Sequence, residues 1–434
     1  MPLDTSAIGQ NGTACEVLVI GGGPAGTTAA TLLAEKGRHV VLLEKEHHPR
    51  FHIGESLLPL NLRLFERLGV AERMAAIGVH KPGARFVSDE HGRHTAFSFA
   101  AGLNQDYTYA YQVRRSEFDA VLFARARESG ADAREGVRVM EVALDARAGH
   151  SVTARAADGS TEIFRPRFVI DASGRDTVLA GTFGSKARNM RNNTAAIYGH
   201  FRGVAPFGEA EDGNITIHLF DHGWFWMIPL PEGVMSVGVV SNPDFFKRRR
   251  GEVRDFFLDT LRAVPSVARR INGAELLTEV TTTGNYSYAS SVMQGEGWLM
   301  AGDAYAFLDP VFSSGVLLAM ASAEMGAEVA DTWLDDPARA APMARAFERK
   351  VKRAIGSLSW LIYRINNPVL RDMFMNPSNR FRMREGLVSL LAGDVHANAN
   401  RQLPVLAFKA AYHGLSLAQR FGYRLRPEGL VRVG

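Results

Sequence analysis

The sequence predicts an α/β fold in which a Rossmann-type dinucleotide-binding domain is interleaved with an antiparallel β-sheet substrate domain and followed by a C-terminal helical lobe. Three observations predict it. Residues 15–46 (CEVLVIGGGPAGTTAATLLAEKGRHVVLLEKE) pass from an apolar stretch through a glycine-rich turn and a helical stretch to a second apolar stretch ending in acid. Alternating, aromatic-rich runs such as NITIHLF, GWFWMIP and MSVGVV read as strands between residues 181 and 281. Beyond residue 333, LSWLIYRI, GLVSLLAG and LPVLAFKAAYHGLSLAQ read as amphipathic helices, broken at Pro368, Pro377 and Pro404.

The first element is the most specific. Gly21, Gly23 and Gly26 fill G-x-G-x-x-G, with Pro24 and Ala25 between them, where a strand meets a helix, and Glu44 closes the second strand 18 residues after Gly26. The glycines provide a tight turn, close approach of backbone to a pyrophosphate, and close helix packing, while the helix N-terminus faces the phosphates. Glu44 would accept from the adenosine ribose hydroxyls. The motif alone leaves NAD and FAD open.

Composition bounds the remainder. The 434 residues suffice for two or three domains, and 46% apolar residues supply real cores. The single cysteine, Cys15, excludes an internal disulfide framework and reads as a core residue. The first fourteen residues lack the basic start and apolar run of a secretion signal, so a cytoplasmic protein is expected, and no apolar run is long enough to span a membrane. Charge is unevenly spread: 17 Lys and Arg face 5 Asp and Glu from Pro337 to Gly434, a balance of +12 within a chain of net charge +4. No base-stacking pattern accompanies it, so no nucleic-acid partner is expected; a solvated surface, an acidic protein partner and a membrane surface stay open. His47 and His48 have no third ligand at metal-like spacing, and no metal is expected.

Three later segments choose the cofactor. YQVRRSEFDAVLFARARESGA (111–131) puts a basic pair before a helix, and FVIDASGRDTVLA (168–180) is a strand ending in a glycine turn. WLMAGDAYAFLDPVFSSGVLLAMASAEMGAEVA (298–330) runs from strand through Gly302-Asp303 and a proline turn into a small-residue helix. This order resembles the FAD-dependent monooxygenases of the para-hydroxybenzoate hydroxylase group. The resemblance implies FAD contacts at Arg115, Gly302 and Asp303. It also implies an FAD-binding domain at 14–75, 112–180 and 282–332, a substrate domain of antiparallel sheet at 76–111 and 181–281, and a helical lobe at 333–434.

GWFWMIP narrows the reading further. Along a strand, Trp224, Trp226 and Ile228 leave one face while Phe225 and Met227 leave the other, and Pro229 would stop the ladder. A doubly buried strand explains the pattern equally well. W-x-W-x-I-P at Trp224, Trp226, Ile228 and Pro229 is, however, similar to the signature of the flavin-dependent halogenases. IGESLLP (53–59), which includes Ser56, IGVHKPGARF (77–86) and FLDPVFSSG (307–315), with Pro310, resemble that family too. The resemblance implies reduced FAD from a separate flavin reductase and chloride or bromide held by the N–H groups of Ser314 and Gly315. It implies an aromatic wall that keeps substrate from the flavin, and hypohalous acid passed through a tunnel to Lys81. Lys81 would form a haloamine or hydrogen-bond the acid, and burial would supply the neutral amine. The expected substrate is an electron-rich phenol or pyrrole, free or tethered to an acidic carrier protein for which the +12 lobe would border the entrance. An aromatic hydroxylase of the same fold and a flavoenzyme resembling geranylgeranyl reductase are the alternatives.

Overall fold

The computed structural model describes residues 12–189, 193–208, 213–284, 287–394 and 402–432. Its principal elements are, in order, β1 (Thr13–Ile20), α1 (Pro24–Glu35), β2 (Val40–Leu43), β3 (Val79–Lys81), β4 (Gly83–Ser88), β5 (Arg93–Ser98) and β6 (Ala110–Gln112). There follow α2 (Arg115–Glu128), β7 (Asp132–Arg134), β8 (Thr161–Asp171), β9 (Ala195–Arg202), β10 (Ile215–Phe220), β11 (Gly223–Leu230), β12 (Val234–Ser241), β13 (Trp298–Met300) and α3 (Gly315–Asp335). The C-terminal part comprises α4 (Pro337–Ile362), α5 (Pro368–Met375), α6 (Met383–Leu391), α7 (Leu403–Arg420), β14 (Tyr423–Arg426) and β15 (Gly429–Arg432).

The apolar runs VLVI and VVLL become neighbouring parallel strands, and the order β13-β8-β1-β2-β7 is parallel throughout. Such strands are covered on both faces, which is why their sequences are continuously apolar rather than alternating. Cys15 lies buried near the start of β1, its thiol pushed up to about 12 by burial.

The second sheet has the order β9-β12-β11-β10-β4-β5. It is not purely antiparallel as the sequence suggested, because β10 pairs with β4 in parallel, Ile215 opposite Ala84 through Leu219 opposite Ser88. The chain leaves β4 by a hairpin and returns to β10 only after a long excursion, so no tight turn fixes their relative direction. Residues 79–81 also leave that sheet: β3 pairs with β6 in a separate two-stranded ribbon.

In β11 the predicted alternation holds. Trp224, Trp226 and Ile228 join one core cluster, while Phe225 and Met227 join another across the sheet. Pro229 does not end the strand, since the pairing with β12 continues through Pro229 opposite Met235 and Leu230 opposite Val234. Pairing with β10 has already ended at Met227, so the proline sits where one flank of the strand is an edge and a missing N–H is tolerated. The Trp224 and Trp226 ring centroids are 6.0 Å apart.

The C-terminal part is mostly helical, with Pro368 and Pro404 in the first turns of α5 and α7, where a proline lacks no needed donor. The helical lobe ends in a hairpin of β14 and β15, which the sequence did not suggest. Arg424 of that hairpin donates to the buried Asp372 carboxylate at 2.5 and 3.0 Å.

Trp226 depends on the residue opposite. Gly238 faces it across the ladder, and a Cβ there would stand 2.2 Å from the indole Cζ2. Gly238→Ala should therefore tilt the indole and destabilise the protein by about 1–3 kcal/mol, as overpacking does; urea unfolding followed by tryptophan fluorescence would measure it.

Candidate active site

A cavity of about 690 Å³ opens between the two sheets. Its floor is the β1–α1 turn. A Cβ on Gly26 would lie 1.8 Å from the Gly21 carbonyl oxygen, and one on Gly21, whose φ is +99°, would lie 2.5 Å from the Ala172 oxygen. Only glycine permits that crossing of helix over turn. Gly21, Gly23, Pro24 and Ala25 line the cavity; Gly26 lies beneath it, serving the packing of α1.

Glu44 also lines the cavity, and its carboxylate accepts from Gly22 N–H at 2.7 Å and Glu46 N–H at 2.9 Å. These bonds fix the carboxylate beside the turn. Arg50 approaches Glu44 at 3.5 Å and Asp119 at 3.3 Å, while its Nε and Nη1 are buried without a hydrogen-bond acceptor. Arg115 forks onto Asp119 at 2.8 and 3.0 Å and donates to the Ile53 carbonyl at 2.7 Å. A glycine cradle, the N-terminus of α1 and an arginine whose Nε and Nη1 lie 3.4 and 3.3 Å from Glu46 and Asp119 without hydrogen-bonding them fit a dinucleotide pyrophosphate, and Glu44 fits its ribose. FAD would be held by these groups.

On the far side stands Asp303, its carboxyl pushed up to about 6 by loss of solvent, with Arg115 and Arg175 pulling the other way. Gly302 does not line the cavity; it makes the turn, with φ of +59°, and donates its N–H to Ser322 Oγ at 2.9 Å. The proline turn follows. Pro310, Ser313 and Gly315 line the cavity, Ser313 has φ of +57°, and no atom lies within 4 Å of a Cβ built on Gly315. Ser314 is buried and off the lining. Leu318 N–H is bonded to the Ser314 carbonyl, so the N–H groups of the first turn of α3 have no acceptor within the helix and point toward the turn.

Trp224, Trp226 and Ile228 line the cavity on the side of the second sheet; Pro229 does not. Trp226 is pinned by its Nε1–H, which donates to Ser236 Oγ at 3.1 Å. Lys81 is not on the lining either. It is 1% exposed, and its Nζ donates to Ser56 Oγ at 2.8 Å and the Leu57 carbonyl at 2.7 Å, with the Phe99 ring 5.3 Å away. Burial without any carboxylate partner lowers its pKa to about 7. Ser56 lines the cavity, so one hydroxyl separates Lys81 from it.

Several lining groups escaped the sequence reading. Among them are Arg50, His52, Glu55, Arg175, Tyr198 and Lys186. His52 is lowered to about 4, chiefly by burial and then by Arg115, and the Glu55 carboxylate accepts from His200 Nε2–H at 2.7 Å. Arg50, His52 and Glu55 sit in the same loop as IGES, and that adjacency was the available signal. No described residue after Ala319 lines the cavity, so the basic lobe does not border it; the lobe instead packs behind Trp224 and Trp226. Arg382 is paired with Glu385 and Arg384 with the Ala96 carbonyl. Among the described residues no group of three His, Cys, Asp or Glu could hold a metal ion, and no helix is long and apolar enough to cross a membrane.

Residues 14–325 match the FAD binding domain family. The tryptophan 2-halogenase of Chondromyces crocatus is 36% identical over 72% of this chain and 60% of its own length. The chain thus spans less than two thirds of that relative. Among solved structures, a flavoprotein/dehydrogenase from Cytophaga hutchinsonii is similar with a TM-score of 0.84 and 27% identity, over 94% of this chain and 100% of that one. The myxobacterial chondrochloren halogenase CndH is similar with a TM-score of 0.76 and 29% identity, over 93% and 98%.

Gly26→Val should abolish flavin retention, because the added carbons force α1 away from the Gly21 carbonyl. Absorbance of bound flavin after gel filtration with added FAD would report it, with circular dichroism showing that the helices survive.

Proposed function

The chain belongs to the flavin-dependent halogenase family, and on that premise we propose that it turns chloride or bromide into hypohalous acid and delivers the acid through Lys81 to an electron-rich aromatic ring. The observation that carries this reading is the placement of Lys81: a buried amine with no counter-ion, one hydroxyl behind the wall of the cavity that fits FAD. Reduced FAD, supplied by a separate flavin reductase, brings with oxygen the oxidising equivalent. This chain's residues do the rest. Gly21, Gly23 and Arg50 bind the pyrophosphate, and Arg115 fixes the Ile53 carbonyl and with it the strand of residues that carries Ser56. The open turn at Ser314 and Gly315 supports a halide, since converging backbone donors at the start of α3 suit an anion without a counter-cation.

Trp224, Trp226 and Ile228 favour this reading over an aromatic hydroxylase, which must bring its substrate against the flavin. With that face walled off, the two halves of the reaction occupy two places, and only the second uses Lys81. Phenols and pyrroles, free or carrier-tethered, are the substrate class, because an electrophilic halogen needs an electron-rich carbon.

Supplying reduced FAD, oxygen and bromide with an activated phenol should give a brominated phenol; an unbrominated one would remove the proposal. Lys81→Met should leave flavin binding and reoxidation of reduced FAD near normal while cutting enzyme-directed product by roughly a hundredfold or more, the range for loss of one catalytic group. Lys81→Arg should not restore it if a neutral amine accepts the halogen, as a guanidinium stays charged.

With a pKa lowered to about 7, Lys81 becomes an ammonium as pH falls through that value. If a neutral amine accepts the halogen, product should fall on going from pH 8 to pH 6 while flavin reoxidation stays level. If the ammonium hydrogen-bonds the acid, product should instead fall as pH rises. Mixing oxidised holoprotein with NADPH in a stopped-flow instrument should leave flavin absorbance nearly unchanged; rapid bleaching would favour the hydroxylase.

A further inference from the structure

Gln112 is wholly buried on β6 and has a polar atom with nothing to do. Its Nε2 donates to the Gly213 carbonyl at 3.1 Å, which fixes the orientation of the amide, and its Oε1 has no hydrogen-bond donor. Buried carbonyl oxygens are rarely left unmet, and one that persists calls for a reason.

The register says which neighbourhood that oxygen belongs to. In the β3–β6 ribbon Val79 pairs with Gln112 and Lys81 with Ala110. Directly opposed residues of an antiparallel pair project to the same face, as do alternate residues of one strand. Lys81 and Gln112 therefore leave the ribbon on one side as diagonal neighbours. Ser56 forms an antiparallel bridge with Gln112, which puts its side chain on that side as well. Of the three, Ser56 alone also lines the cavity. Ser56, Lys81 and Gln112 thus share one side of the ribbon, an amine, a hydroxyl and one unsatisfied acceptor, and Ser56 is where that side meets the cavity.

We propose that Gln112 is a positioning residue for halogen transfer: its Oε1 accepts the O–H of hypohalous acid and so turns the halogen toward Lys81 Nζ. This rests on the halogenase reading above. A hypohalous acid has one donor, its O–H, and an amide oxygen accepts it without carrying a charge that would pin Lys81 as an ammonium. In the haloamine route the N–halogen bond forms as the O–halogen bond breaks. The leaving hydroxide takes the proton released by nitrogen and departs as water, and no further oxidant is needed.

The test uses the FAD-loaded full chain with reduced FAD, oxygen, bromide and resorcinol. Total hypohalous acid is measured with an activated phenol trap, and protected transfer as the bromoresorcinol that still forms under excess methionine, which consumes free hypohalous acid. Gln112→Met keeps length and removes both the acceptor and the Nε2 donor to the Gly213 carbonyl. Protected transfer should fall about two- to tenfold, the worth of one neutral hydrogen bond, with total hypohalous acid and flavin reoxidation unchanged. Gln112→Glu loses the same donor but keeps an acceptor, and should retain protected transfer once the pH exceeds its shifted limb. Its carboxylate beside Lys81 favours the ammonium and so should move the pH limb belonging to Lys81 upward. Equal protected transfer in wild type and Gln112→Met would overturn the proposal and leave the halogenase reading standing; hypohalous acid without any protected transfer in wild type would overturn the proposal together with delivery through Lys81, leaving only the oxidation of halide. Absence of hypohalous acid in wild type would instead overturn the reading and this proposal together. Should Gln112→Met not fold, an unmoved pH limb in Gln112→Glu overturns the proposal by itself.

Discussion

Everything distinctive about this site hangs from the five residues Ile53–Leu57. Arg115 holds the Ile53 carbonyl, the Glu55 carbonyl accepts from Val113 N–H at 2.8 Å, and Leu57 N–H donates to the Tyr111 carbonyl at 3.0 Å. Gly54 has φ of +106°, and a Cβ there would stand 2.9 Å from Arg115 Nη1, so the arginine can reach across only because that position lacks a side chain. The segment is thereby stitched to β6 and α2 along its length. One face of it meets the cavity and the other meets Lys81. Its geometry sets how far the amine stands from the flavin site, and loosening it would disturb both at once.

The electrostatics on its two sides differ. Facing the cavity, Arg50 and Arg115 converge on Asp119, and the buried charge is offset by paired groups. Behind the segment, Lys81 has only a hydroxyl and a carbonyl for company, and desolvation therefore lowers its pKa where an ion pair would have raised it. A lysine with a matched carboxylate would be an ammonium at neutral pH and a poor nucleophile. Among the described residues no carboxylate pairs with Nζ, and burying the amine without one costs stability whenever it is charged.

The tryptophans likewise do two jobs. Trp224, only 2% exposed, belongs to the core that joins the second sheet to α5, α6 and α7, and Trp226 is wedged against Gly238. The doubly buried strand and the cavity wall are the same strand. Rigidity follows from the first role, and a wall that excluded substrate from the flavin, as proposed, would need it.

The glycine turn, the parallel strands, the alternation in β11 and the helices after residue 333 were all legible in the sequence, since each rests on local chemistry: φ above zero, apolar period, proline at a helix start. The flavin cradle was legible through resemblance, which also singled out Lys81. What sequence could not give were quantities that depend on partners far away in the chain. The parallel pairing of β10 with β4 was set by a long excursion, the passage of β11 beyond Pro229 by where its neighbour ends, and the C-terminal hairpin by Arg424 finding Asp372. The basic lobe's charge was countable, yet only the packing put it behind the tryptophans instead of beside the cavity. So too with Lys81 and Gln112: the sequence supplies an amine and an amide, and only strand register puts them on one face, buried, with no opposing charge.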